Sequence, residues 1–182
     1  MCGIIGIIGN KEEGNVAARI VEGLKRLEYR GYDSAGIATL VNGHIDRRRA
    51  EGKLFNLAQN LIDEPLAGDV GIGHTRWATH VKPSERNAQP HRAGSVVIVH
   101  NGIIENYRAL RTELEASGAE MLSDTDTELI AHLIDGRIRE GKDLMTAVRE
   151  SCAQLVGSYA LGVMSDTDPA HIVAAKNGGS PI

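Results

Sequence analysis

Residues 1–10 read Met1-Cys2-Gly3-Ile4-Ile5-Gly6-Ile7-Ile8-Gly9-Asn10, and the reading of the fold starts there. Four isoleucines in a short run, punctuated by Gly3, Gly6 and Gly9, predict a buried first strand. No basic segment precedes the run, and it stops at Lys11-Glu12-Glu13. It is too short for a membrane span and wrongly flanked for a signal peptide. Directly behind it, Val16, Ala17, Ile20, Val21, Leu24 and Leu27 recur at helical spacing with charges between them, and Gly31 closes the pattern.

Working outward, residues 36–41 read as a strand that Asn42-Gly43 turns into a second strand over 44–49. The basic run Arg47-Arg48-Arg49 then reads as a solvated strand face. Leu54, Leu57, Leu61 and Ile62 predict a short helix ending near Pro65. A strand over 70–73 leads into a long polar stretch, 74–94, which reads as a functional or a disordered loop. Val96-Val97-Ile98-Val99 is an apolar strand running into His100-Asn101-Gly102, where Asn-Gly suggests a turn. Helices follow over about 105–117, from the Ser123–Glu128 segment onward, and over 144–155. Thr125 with Glu128, or a neighbouring pair, could supply a capping box for the second of these. Two closing strands, 159–164 and 172–175, flank the Asp166–Pro169 turn. This order of elements favours an α+β layered sandwich.

The chain has 182 residues with 42% hydrophobic and 24% charged, enough to bury a continuous core in one domain. A net charge of −4 and an aromatic content of 3% argue against nucleic acid as a partner. The two cysteines, Cys2 and Cys152, form neither a CxxC pair nor a disulfide framework, which suits a reducing cytoplasm. Cys152 falls on the apolar side of its helix and reads as core. The ending Asn177-Gly178-Gly179-Ser180-Pro181-Ile182 carries no polar tail, as expected of a domain cut from a longer protein.

Cys2 taken alone reads first as a small residue opening a strand. Its position after the initiator methionine adds a second reading. Removal of Met1 would leave a thiol and a free α-amine on one residue. An unperturbed cysteine thiol titrates at about 8.5 and an α-amine at about 7.7–8.0, so the amine is suited to take the thiol proton near neutral pH. Three further segments bear on that reading. Leu27-Glu28-Tyr29-Arg30-Gly31-Tyr32-Asp33-Ser34-Ala35-Gly36 carries a helix exit into a strand. His74-Thr75-Arg76-Trp77-Ala78-Thr79-His80 contains the single tryptophan and an arginine fork suited to a carboxylate. His100-Asn101-Gly102 offers a side-chain amide beside a glycine N–H, the parts of an oxyanion hole. Each has a plain structural explanation when taken alone. His74 and His80 lack a third ligand at metal-site spacing.

Together these strings, with Ser123-Asp124-Thr125-Asp126-Thr127-Glu128, resemble the class II glutamine amidotransferases, whose domain is an N-terminal nucleophile hydrolase. The likeness covers essentially the whole chain, in the expected motif order. RLEYRGYDSAG and HTRWATH with THVKPS point to the sugar-phosphate branch rather than the purine, asparagine or glutamate synthase branches.

The resemblance implies a four-layer αββα sandwich that hydrolyses L-glutamine through a Cys2 thioester, with no cofactor or metal. It implies Cys2 as nucleophile and base, with Asn101 and Gly102 stabilising the oxyanion. Arg76, Thr79 and His80 would hold the substrate carboxylate, and Asp126 its α-ammonium. Trp77 would belong to a closing loop, and Arg30 and Gly31 would support the nucleophile end. In a full-length member, the ammonia would pass to a C-terminal isomerase domain of the same polypeptide, which binds fructose 6-phosphate. A homodimer is an open expectation for that longer protein.

Two departures from the family pattern stand out: Val81 where glycine is common, and Gln89 in Asn87-Ala88-Gln89-Pro90-His91 where histidine is common. Gln89 cannot titrate and receives no acid–base role, and His91 reads as a loop histidine. Two rival readings stay open. In one, Met1 is retained and the chain is a glutamine-binding or regulatory module. In the other, Cys2 works with a histidine base such as His80 or His100.

Overall fold

Gly3–Ile8 forms β1, and its burial is set by where it pairs. It pairs on one side with β4 (Val70–Arg76), and the strand order β1-β4-β2-β3 makes it the edge of the first sheet. The expected buried strand is therefore only half-buried, and Ile8 is exposed. The chain is described by a computed structural model over residues 2–10, 15–77 and 82–180. The expectations for Met1, Thr79, His80 and Val81 fall outside the described residues.

Helix α1 (Val16–Leu27) begins at Asn15, whose side chain accepts from the Ala17 N–H at 2.9 Å, and it carries Lys25 and Arg26 in its last turn. It buries Val16, Ile20 and Leu24, each worth about 1.5–3 kcal/mol when removed from water. A single 3₁₀ turn, Glu28–Arg30, separates it from Gly31. Strands β2 (Ser34–Val41) and β3 (His44–Glu51) form the expected hairpin, with Asn42 and Gly43 both at positive φ (50° and 77°). Helix α2 (Leu54–Asp63) follows, with Leu54 and Leu57 buried.

The second sheet has the order β5-β6-β7-β8: β5 is His91–Ala93, β6 Val96–Ile104, β7 Gly157–Ser165 and β8 Asp168–Asn177. Every strand pairing in both sheets is antiparallel. Helices α3 (Tyr107–Ala116), α4 (Asp126–Arg139) and α5 (Leu144–Cys152) lie between β6 and β7 in sequence.

Three apolar clusters give the layering. Val16, Ile20, Leu24, Leu54 and Leu57 pack α1 and α2 on the first sheet. Ala38, Leu40, Val70 and Ile72 meet Val97, Val99 and Met164 between the sheets. Val96, Ile98, Leu161 and Val163 pack against Ile130, Ile134, Leu144 and Val148 of α4 and α5. The result is a four-layer αββα sandwich. Val96–Val99 is apolar throughout because it is covered on both faces, alternate residues meeting helices and the opposite sheet. Among the described residues, no helix is long and apolar enough to cross a membrane.

Several expectations change. The stretch 74–94 is not one loop. β4 runs on through Arg76, with Thr75 opposite both Gly3 and Ala35. β5 supplies His91–Ala93, so His91 is a buried strand residue bonded to Thr125 Oγ1 at 3.0 Å. Asn101-Gly102 is not a turn either, since β6 continues to Ile104 with Asn101 opposite Ala160. The Thr125–Glu128 capping box does not form. Glu128 instead accepts from the Leu122 and Ser123 N–H groups and the Ser123 hydroxyl, bracing the segment before α4. Of the arginine run, Arg47 donates to Pro90 O and Arg49 to Ala88 O, so two of the three tie β3 to the segment before β5. Burial pushes Arg47 down to about 10. Cys152 is half-buried beside the α4–α5 core.

Candidate active site

Cys2 precedes β1 at the end of the first sheet, where β4 delivers Arg76 and, just beyond it, Trp77. The Cys2 main-chain nitrogen donates to Asn101 Oδ1 on β6 at 3.3 Å, joining one sheet to the other. Its carbonyl accepts from Arg30 Nε at 3.2 Å. Burial pushes the thiol pKa up, and a hydrogen bond from the Trp77 N–H together with the Arg76 charge pulls the other way without cancelling it. The thiol is therefore largely neutral near pH 7 and needs a base to become a nucleophile.

Gly31 owes its place to packing. A Cβ there would sit 2.5 Å from the Arg76 carbonyl carbon and 2.7 Å from Trp77 N. This close approach seats the 3₁₀ turn carrying Arg30 against the end of β4. Tyr32, one residue on, meets Trp77 edge-on, ring centroids 5.3 Å apart at 72°. Both rings are substantially exposed, at 49% and 43%.

A cavity of about 540 Å³ opens between these elements, within the usual range for small-molecule sites. Cys2, Arg76, Trp77, Asn101, Gly102 and Asp126 all line it. Arg76 is buried, with the Asp33 and Asp126 carboxylates the charges acting on it. Asp126 opens α4. One of its carboxylate oxygens accepts from the Ile104 N–H at 3.0 Å, and the other lies 3.7 Å from His100 Nδ1. Gly102 takes φ +143°, and an added Cβ would collide with Ser158 O at 2.1 Å. Only glycine lets β6 run past β7 there while lining the cavity.

The fold thus brings together Cys2, Arg30, Gly31, Arg76, Trp77, Asn101, Gly102 and Asp126. Thr79 and His80 lie outside the described residues. His100 lines the same cavity, with its Nδ1 3.1 Å from Thr127 Oγ1, and burial lowers its pKa. Gln89, Tyr107, Thr127 and Ser158 also line the cavity, and the sequence reading assigned them nothing. Ser158 could have been found only through the register of β7 against Ile103. Gln89 was visible as a departure from the family pattern, but its partner was not. Among the described residues, no group of three or more His, Cys, Asp and Glu side chains is arranged to hold a metal ion.

Residues 74–181 match the family described as the glutamine amidotransferase domain, a span that contains Arg76, Asn101 and Asp126. Over 178 residues the chain is 56% identical to glutamine–fructose-6-phosphate aminotransferase (isomerizing) of Brucella suis biovar 1 (strain 1330). It is 55% identical to the protein of the same name from Rhizobium meliloti (strain 1021). Each match covers 98% of this chain and 29% of the relative, so the chain spans under a third of their length. Among solved structures, glutamine phosphoribosylpyrophosphate amidotransferase from B. subtilis, complexed with ADP and GMP, superimposes with a TM-score of 0.79 at 30% identity. That match covers 97% of this chain and 37% of the other. A glutamine aminotransferase class-II domain protein from Silicibacter pomeroyi shares the fold, with a TM-score of 0.58 at 16% identity over 82% of this chain and 71% of its own.

Proposed function

The chain belongs to the glutamine amidotransferase domain family, and from that premise we propose that it is the glutaminase domain of a glucosamine-6-phosphate synthase. In this reading it hydrolyses L-glutamine to L-glutamate and ammonia. The observation that carries it is the bond from Cys2 N to Asn101 Oδ1 at 3.3 Å, which sets side by side the residues read as nucleophile and oxyanion donor.

The chemistry follows from the donor inventory. Once Met1 is removed, the Cys2 α-amine takes the thiol proton, and Sγ attacks the side-chain amide carbon of glutamine. Cys2 N donates to the Asn101 carbonyl oxygen, so Asn101 Nδ2 is left to donate. With the Gly102 N–H, it stabilises the negative oxygen of the tetrahedral adduct. Collapse breaks the C–N bond, the α-ammonium returns its proton to the leaving nitrogen, and ammonia departs. Water, deprotonated by the same amine, then cleaves the γ-glutamyl thioester. Arg76, with Thr79 and His80, holds the substrate carboxylate, and Asp126 holds its ammonium. Trp77, braced by Tyr32, closes over bound glutamine and excludes water.

In the longer protein, the ammonia would aminate fructose 6-phosphate on a C-terminal isomerase domain of the same polypeptide. The relatives' names and the 29% share of their length support that placement. Two free cysteines fit a cytoplasmic setting, and the full protein is the natural place to look for a homodimer.

The test pairs intact mass of the N-terminus with ammonia release from glutamine on the same sample. A chain that begins at Cys2 should hydrolyse glutamine, and Cys2→Ala should not. Hydrolysis by a chain that keeps Met1 would point to a histidine base instead. A processed chain that binds glutamine without hydrolysing it would be a binding module.

A further inference from the structure

Gln89 is buried at 5% exposure, two residues before β5, and its partners are specific. β5 begins with His91 opposite Ile98 on β6, so the same register carried two residues further sets Gln89 opposite His100. Pro90 intervenes and has no N–H to give to a ladder. The Gln89 side chain takes over the pairing. The His100 N–H donates to Gln89 Oε1 at 2.6 Å, and Gln89 Nε2 donates to the His100 carbonyl at 3.1 Å. This two-way exchange is what a hydrogen-bonded antiparallel pair provides.

Two further bonds fix the arrangement. Gln89 Nε2 also donates to Thr127 Oγ1 on α4 at 3.1 Å. From the first sheet, His74 Nε2 donates to the same His100 carbonyl at 3.1 Å. The backbone immediately before Asn101 is thereby held from β4, from α4 and from the segment before β5.

We propose that Gln89 is a positioning residue for Asn101, setting the oxyanion donor by pinning the His100 peptide groups on either side. This rests on the reading of Asn101 as that donor. An amide suits the task because it offers donor and acceptor together at any pH. A carboxylate lacks the donor, and an imidazolium lacks the acceptor.

The experiment uses the full chain with Met1 removed and compares wild type with Q89L and Q89E. Q89L should lower kcat for glutamine hydrolysis by about 10²-fold with little change in KM, as displacement of a catalytic group does. The His100 amide should exchange hydrogen faster in Q89L than in wild type. Q89E can make both bonds only when protonated, so its kcat relative to wild type should rise as pH falls. A merely structural role would lower Tm without producing that pH limb. Q89E, being isosteric, keeps the test open if Q89L fails to fold. Wild-type hydrolysis with an unchanged Q89L kcat, or a Q89E ratio flat across pH, would overturn the proposal. A wild type without hydrolysis would overturn the functional reading itself, and this proposal with it.

Discussion

Gly31 lies so close to the end of β4 that a single added carbon would reach to 2.6 Å from the Arg76 carbonyl oxygen. The obstacle is backbone, which cannot rotate away. Gly31→Ala should therefore cost about 1–3 kcal/mol, as overpacking does. In a chain of this size that corresponds to a fall in Tm of roughly 2–12 °C. Calorimetry on both proteins checks it. Glutaminase activity should fall further than stability alone explains, because the same shift moves Arg76 and the Trp77 N–H that bonds the thiol.

Asn101 makes one bond to Cys2 and sits in a strand paired to β7, so its side chain can be cut without unpairing the ladder. Asn101→Ala should lower kcat by about 10²–10³-fold, the usual loss for one oxyanion donor. Substrate affinity should change much less. Steady-state kinetics with ammonia detection separates the two.

Asp126 accepts from the Ile104 N–H through one oxygen, a bond that asparagine can keep. Asp126→Asn should therefore preserve α4 and remove only the charge facing the substrate ammonium. The expected loss is about 2 kcal/mol, near the low end for a truncated charge pair because the side chain is 25% exposed. That is a rise in KM of roughly 30-fold. A kcat that collapsed with KM unchanged would contradict the assigned role.

Stability should decline on acidification, and the buried histidines set the window. His74 is fully buried in the folded chain, and desolvation lowers its pKa from 6.5 to about 3. Between those values the unfolded chain binds the proton and the folded chain does not. Stability is therefore fully present above about pH 6.5 and lost as pH falls toward 3, at up to about 1.4 kcal/mol per pH unit for this one group. His91, also pushed down by burial, adds to the slope. Urea denaturation at a series of pH values measures it, and His74→Gln should make it shallower by about one proton.

Much of this protein was legible locally. The spacing of Val16, Ile20 and Leu24 dictates α1, since one face must be buried. Asn42-Gly43 dictates the first hairpin, because both residues tolerate positive φ. Cys2, Arg76, Asn101 and Asp126 could be named as candidates from residue chemistry and the family likeness, and they do line one cavity.

What only the tertiary structure decided is how far the strands run and what holds their polar ends. His74, Thr75 and Arg76 look like loop residues by composition, yet they are strand because β1 and β2 both pair with them. Asn101-Gly102 looks like a turn, yet β7 keeps it extended. Arg47 and Arg49 look solvated, yet they reach carbonyls about forty residues away. Gln89 is the extreme case, since its role exists only once the register of β5 places it opposite His100. The reason is common to all four. A polar side chain or peptide group accepts whatever partner the folded chain brings within hydrogen-bonding distance. That partner is distant in sequence, so local periodicity carries no trace of it.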